Sequence, residues 1–412
     1  MTEFEATLDN APPTSSASLY ARASRHIPGG ASRGTLFTPP YPPYAVSASG
    51  SLLLDADGRE LIDMHANYSS LVHGNAFGPV LDAIAETCGH GLCFGLPTLA
   101  EIRLAEHLAE RVPDAPLWRF TGSGTEAVMA AVRAARAFTG RDLIVRFAGC
   151  YHGGSDALLQ PGARGVPGSA QADVRTLSLE HAERGTPEQA FAKAMRSEGD
   201  RVAAVLLDLM PNRAGLHPVE PAFAELVRRL TREHGALLIV DEVITFRLGT
   251  SGLHGLYGLE PDLLTLGKIV GGGLPCGALG GREKVMRVFD PSPVSPADPE
   301  QPEPVALSGT FSANPVSMCA GLAALKALDE TAIARANSLG ERLHAELRNR
   351  GYAISGRGSL LKFHSSELSA LWRRLYQEGV LIAADGLCCV STAMDEATIE
   401  EVVARCRRAL LE

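Results

Sequence analysis

The sequence predicts an α/β fold, with a mainly parallel sheet in a large domain and a smaller α/β unit after it. Three observations carry that expectation. Four short apolar runs, LWRFTG, LIVRF, VAAVLL and ALLIV, alternate with stretches of helical periodicity, the pattern of strands joined by right-handed crossovers. Asp208, Asp241 and Lys268 fall at the carboxyl ends of strand-like runs or just beyond them, where open α/β sheets bind ligands. Finally, a stretch at 290–304, DPSPVSPADPEQPEP, holds six prolines and four acids and reads as an exposed, extended loop. Beyond it, helices at 332–350, 366–378 and 395–411 alternate with short strands near 359–363 and 387–391.

Bulk properties narrow the function. At 412 residues the chain exceeds one typical core. Its 45% hydrophobic and 21% charged residues are those of a globular protein. The net charge of -9 argues against a nucleic-acid partner, because counterion release needs a basic face. The N-terminus MTEFEATLDN is acidic where a secretory signal needs a basic start, and no apolar run approaches the ~20 residues that span a bilayer. The eight cysteines are scattered without zinc or disulfide spacing. They read as buried thiols in a reducing cytosol, so no metal is expected and the expected location is cytoplasmic.

In chain order, residues 1–16 are polar and Pro/Ser-rich and read as a disordered tail. An amphipathic stretch ends at Pro28, Gly29 and Gly30, and Arg33 follows in a turn-rich loop, either a solvated residue or a functional one. LLLDADGRELIDM reads as a hairpin around Asp57-Gly58. Two helices are expected between Gly78 and Arg111.

The strand LWRFTG then runs into Ser123, Gly124 and Thr125 and an Ala-rich helix. That order points backbone N–H groups and hydroxyls at an anion, although Ser and Thr also cap helices with no ligand present. Neither a P-loop nor a dinucleotide fingerprint is present. Past LIVRF, Tyr151 and His152 stand between glycines, where Tyr151 either stacks on a flat ring or is an ordinary loop residue. In LTLGKIVGGG, Lys268 precedes three consecutive glycines, an arrangement that presents one amine at a sharp turn. SGTFSANP and a long helix from Pro315 to about Asp329 follow. The expected division is the tail at 1–16, an N-terminal segment of the small domain at 17–60, a large domain at 61–310 and the C-terminal small domain at 311–412.

A lysine among glycines, an acid ending a strand, a phosphate-type loop and an aromatic are together what pyridoxal phosphate requires. From about residue 20 onward the sequence resembles the class III, fold type I pyridoxal-phosphate aminotransferases, most closely the branch holding glutamate-1-semialdehyde aminomutase and the β-amino-acid aminotransferases. The motifs are GSGTEA at 122–127, GCYHGG at 149–154, LLIVDEVITFRLG at 237–249, TLGKIVGGGLPCGALGG at 265–281 and SGTFSANP at 308–315. The resemblance implies a large cofactor domain with a mainly parallel, seven-stranded-type sheet. It makes Lys268 the Schiff-base lysine and Asp241 the partner of the pyridine nitrogen. Ser123, Gly124 and Thr125 hold the phosphate, Tyr151 stacks on the ring, and His152 and Val243 belong to the same cofactor site. Thr310 reaches the phosphate of the neighbouring subunit, which implies a homodimer. Arg33 is similar to the arginine that β-amino-acid aminotransferases use for a substrate carboxylate, while Tyr68, Ser69, Ser70, Met210 and Thr245 are substrate-pocket residues by the same resemblance.

Several departures bear on the reaction. Gly122 replaces the family's usual asparagine, and Asp208-Leu209 stands where Glu-Pro is usual. In the loop that follows, Arg213 is either a second anion contact or a surface residue. Asp385, in AADGLCCVS, occupies the place of an arginine that receives a dicarboxylate in β-amino-acid aminotransferases, and an acid there repels such a partner. Three functions follow: an aminotransferase for an amino acid or amine, an aminomutase or other pyridoxal-phosphate reaction (decarboxylation, elimination, C–C bond formation), or a non-catalytic binding protein, which the intact Lys268 and Asp241 disfavour.

Overall fold

The computed structural model describes residues 15–179, 186–292 and 303–411. The tail at 1–14 and most of the proline-rich stretch, 293–302, lie outside the described residues. The chain forms two compact units. Among the described residues, one contains those up to Ser69, His73–Phe77 and those from Ala336 onward; the other contains Ser70–Val72 and those between Gly78 and Arg335. The changeover falls inside the helix Glu330–Asn349, where the sequence reading has residue 311. The intervening helix Pro315–Ala327 packs on Gly78–Cys88 and Leu99–Arg111, which keeps it in the larger unit.

The larger unit is built on a seven-stranded sheet. Its strand order is Leu117–Thr121, Gly277–Gly281, Leu263–Leu266, Leu237–Asp241, Val202–Asp208, Leu143–Phe147 and Val174–Leu177. Gly277–Gly281 runs antiparallel to both neighbours, and the other pairings are parallel. Every residue of VAAVLLD and LLIVD is buried, as expected of strands covered on both faces. The helix Gly124–Thr139 covers one face. Val128, Ala131 and Ala135 pack there against Ala204, Leu206, Ile239 and Leu263, small residues letting the helix approach closely. Register then fixes the site: Asp208 pairs with Asp241, and Asp241 with Thr265, so three neighbouring strands end level.

The smaller unit joins both ends of the chain. The expected hairpin pairs Leu52–Asp55 with Glu60–Asp63, and Val380–Leu381 adds to it in parallel. A second sheet contains Ala353–Arg357, Leu360–His364 and Leu387–Cys389. Its core draws Phe363, Trp372, Leu375 and Val402 from strands and helices of the C-terminal segment.

Candidate active site

Five loops after the level strand ends of the larger unit meet around a cavity of about 220 Å³, lined among others by Ser123, Gly124, Thr125, Tyr151, His152, Asp208, Asp241, Val243 and Lys268. Each wall has a local cause. Ser123 is the N-cap of Gly124–Thr139 and accepts the Glu126 N–H at 3.3 Å, while Glu126 Oε2 accepts the Gly122 N–H at 2.9 Å. The helix therefore starts at the cavity, with its first N–H groups and positive dipole end there. Gly153, at φ +90°, lies against Thr125: an added Cβ would sit 2.4 Å from Thr125 Oγ1, so only glycine allows this approach.

His152 and Asp241 both line the cavity. Both are buried, and His152 Nδ1 lies 2.7 Å from Asp241 Oδ2. Asp241 Oδ1 accepts the Val243 N–H at 3.1 Å. His152 Nε2 is buried and has no hydrogen-bond partner among the described residues. The next residue, Glu242, is wholly buried and accepts bonds from Thr245 Oγ1, the N–H groups of Leu253 and His254 and the His254 ring, which anchors the chain just past Asp241.

Lys268 sits at φ +51°, a left-handed conformation that costs a non-glycine residue on the order of 1–3 kcal/mol and is retained where function requires it. Burial lowers the pKa of its amine, against the pull of Asp241 and Asp208. Asp208 is pushed the other way, up to about 7, by burial and then by the neighbouring charge of Asp241. One half-buried amine thus shares the cavity with one histidine-held carboxylate and a second carboxyl that carries its proton near neutrality.

This donor set fits pyridoxal phosphate. The cavity has a helix N-terminus with two hydroxyls for a phosphate, a fixed carboxylate for a ring nitrogen, an aromatic face and a half-buried amine. The sequence-expected residues Ser123, Gly124, Thr125, Tyr151, His152, Asp241, Val243 and Lys268 all converge here. Met210, Arg213 and Thr310 do not line this cavity. Met210 is buried, and Arg213 lies over Tyr151 with its guanidinium carbon 4.2 Å from the ring centroid.

Of the remaining expected residues, Ser70 and Thr245 belong to the larger unit, and Arg33, Tyr68, Ser69 and Asp385 to the smaller. Arg33 Nη1 donates to Asn67 Oδ1 at 2.6 Å, and its guanidinium lies 5.9 Å from the centroid of Tyr68. Tyr68 in turn donates to the Thr35 carbonyl at 3.1 Å. Ala66, Asn67, Tyr68 and Ser69 all have positive φ, a single left-handed turn of four non-glycine residues. Asp385 pairs with Lys362 at 3.4 Å and accepts the Leu387 N–H at 3.3 Å. Asp208 lines the cavity at the strand end where the sequence places it; sequence reasoning missed Asn67 and the register that sets Asp208 beside Asp241. The pairing of Asp208 with Asp241 could have been read from two apolar runs each ending in aspartate; nothing in HANYSS announces a left-handed turn.

A family model for class III aminotransferases matches residues 39–408, so the chain belongs to that family: pyridoxal-phosphate enzymes of fold type I. Among curated relatives, the glutamate-1-semialdehyde 2,1-aminomutase of Methanothermobacter thermautotrophicus is 40% identical over 362 residues, covering 84% of this chain and 82% of that one. Among solved structures, an omega-transaminase from Sphaerobacter thermophilus superposes with a TM-score of 0.89 at 36% identity, covering 98% of this chain and 99% of the other. A β-phenylalanine aminotransferase from Variovorax paradoxus gives 0.85 at 34% identity, with 97% and 94% covered. Among the described residues, no helix is long and apolar enough to cross a membrane.

Proposed function

We propose that this protein transfers the amino group of an amino acid or amine at the Lys268 cavity, with a β-amino acid or another non-standard amino compound as its substrate. The main support is one half-buried amine, Lys268, in a cavity shared with the His152–Asp241 pair and the start of the helix Gly124–Thr139. Bound pyridoxal phosphate supplies an aldehyde that condenses with amines and a ring that takes up electrons from a breaking C–H bond at the amine-bearing carbon. Lys268 holds the cofactor and afterwards moves the proton at the amine-bearing carbon of the substrate, a role suited to an amine whose pKa burial has lowered. Asp241, oriented by His152, keeps a proton on the ring nitrogen. Ser123, Gly124 and Thr125 bind the phosphate, and Tyr151 and Val243 contact the ring.

The same reading makes the protein a cytoplasmic homodimer in which Thr310 reaches the phosphate site of the other subunit. It gives Arg33, Tyr68, Ser69 and Met210 to the substrate. A second reading, an aminomutase of the glutamate-1-semialdehyde type, is favoured by Asp385, an acid held by Lys362 where a dicarboxylate partner would need a cation. The test is to add amino acids and amines to the cofactor-loaded enzyme and follow its yellow absorbance. Loss of colour with release of a keto product, reversed by a keto acid, supports transfer. Isomerised product without any keto acid supports the second reading. No response to any amine, with cofactor bound, counts against both.

A further inference from the structure

Arg213 sits in the turn Asn212–Ala214, in the loop that follows the strand Val202–Asp208. Tyr151, whose ring it covers, lines the cofactor cavity from the loop after the adjacent parallel strand Leu143–Phe147. The two loops touch directly. Gly149 has φ +75°, and an added Cβ there would lie 2.6 Å from Ala214 Cβ, so the residues beside Tyr151 and Arg213 are in backbone-level contact. The Pro211 carbonyl accepts the N–H groups of both Ala214 and Leu216, which closes the turn that carries Arg213. The stack on Tyr151 is therefore set by the backbone as well as by the two side chains.

Among the described residues, four arginines lie over aromatic rings: Arg33, Arg59, Arg111 and Arg213. Three of them also have acceptors. Arg33 has the Asn67 side chain, Arg59 has Asp55 and Asp57, and Arg111 has the carbonyls of Thr250 and Leu325. Arg213 has neither a carboxylate nor a carbonyl acceptor among the described residues. Stacking occupies the face of a guanidinium and leaves its in-plane N–H fork open, the geometry that grips a carboxylate with two parallel bonds. Arg213 is exposed beside an exposed tyrosine at the cavity, on a chain whose net charge is -9.

We propose that Arg213 receives a carboxylate of the amino substrate at the rim of the cofactor cavity, so that the substrates are amines bearing a carboxylate rather than plain amines. This rests on the amino-transfer reading above. A matched pair of donors tests it: 3-aminobutanoate, and 2-aminobutane, in which a methyl group replaces the carboxylate. A charge-assisted hydrogen bond is worth roughly 1.5–3 kcal/mol, so Arg213→Ala should lower the ratio of the two kcat/KM values roughly 10- to 100-fold, with Arg213→Lys between. Calorimetric binding of propanoate to the cofactor-loaded enzyme should weaken in the same order, a readout that needs no turnover.

An unchanged ratio and unchanged propanoate binding in Arg213→Ala would overturn the proposal. So would a loss explained wholly by weaker cofactor affinity, which would make Arg213 a support for Tyr151. A ratio that falls in Arg33→Ala but not in Arg213→Ala would overturn it too. If no donor discharges the cofactor colour, the amino-transfer reading fails, and propanoate binding still decides the role of Arg213.

Discussion

Replacing Asp208 with asparagine should stabilise the cofactor-free protein, increasingly so as pH rises to neutrality. The Asp208 carboxyl is buried at the level end of its strand, beside Asp241, and its pKa stands at about 7 against an ordinary 3.8. The folded chain therefore holds a proton that the unfolded chain gives up. The stability tied to it is fully present below pH 3.8, is lost as pH rises through about 7, and stays constant above that. A shift of about three units corresponds to roughly 4 kcal/mol at the upper limit. Asparagine is neutral throughout and retains the oxygen that accepts the Met210 N–H at 2.9 Å. Its buried amide needs new partners, which leaves a net gain of roughly 2 kcal/mol. Denaturant unfolding of both proteins, without cofactor, between pH 5 and pH 8.5 measures it. A difference that grows up to about pH 7 and then levels agrees with a buried, proton-bearing Asp208. A difference independent of pH, or Asp208→Asn less stable at pH 8.5, would show that Asp208 does not hold a buried proton.

Other positions make sharper demands on single contacts. Gly153→Ala forces a Cβ to within 2.4 Å of Thr125 Oγ1, so the loop must shift; cofactor affinity by equilibrium dialysis should fall at least roughly tenfold. His152→Phe removes the partner of a buried carboxylate, a bond worth roughly 1.5–3 kcal/mol. Cofactor affinity should drop accordingly, and His152→Gln, which keeps a donor, should recover part of it; equal loss in both variants would contradict the pairing. Asn67→Ala should cost about 1 kcal/mol of stability in thermal or denaturant unfolding, and Asn67→Gly less, because glycine tolerates the left-handed turn.

The site was legible where chemistry and local order coincide. LIVRF, VAAVLL and ALLIV show as strands because burial on both faces makes them continuously apolar, and Asp241 and Lys268 stand out because polar residues follow those runs. Ser123 to Thr125 could be read as a phosphate loop because the helix start has its own sequence signal. Gly277–Gly281 was invisible as a strand, since glycine is depleted from strands and only its neighbours make it one. The unit boundary inside Glu330–Asn349 left no mark either, because one uninterrupted helix carries the chain across it. The bond between His152 and Asp241 and the stacking of Arg213 on Tyr151 are long-range contacts that spacing alone does not specify.

The chain has five lysines, Lys193, Lys268, Lys284, Lys326 and Lys362, and of these only Lys268 lines the described cofactor cavity. Borohydride reduction of the cofactor-loaded enzyme, followed by proteolysis and mass spectrometry of the lysine peptides, locates the lysine that holds the cofactor. Cofactor mass should appear on the Lys268 peptide alone, and Lys268→Ala should retain none after reduction. Cofactor fixed to any of the other four lysines, or on no lysine in a fully loaded enzyme, would contradict that role for Lys268.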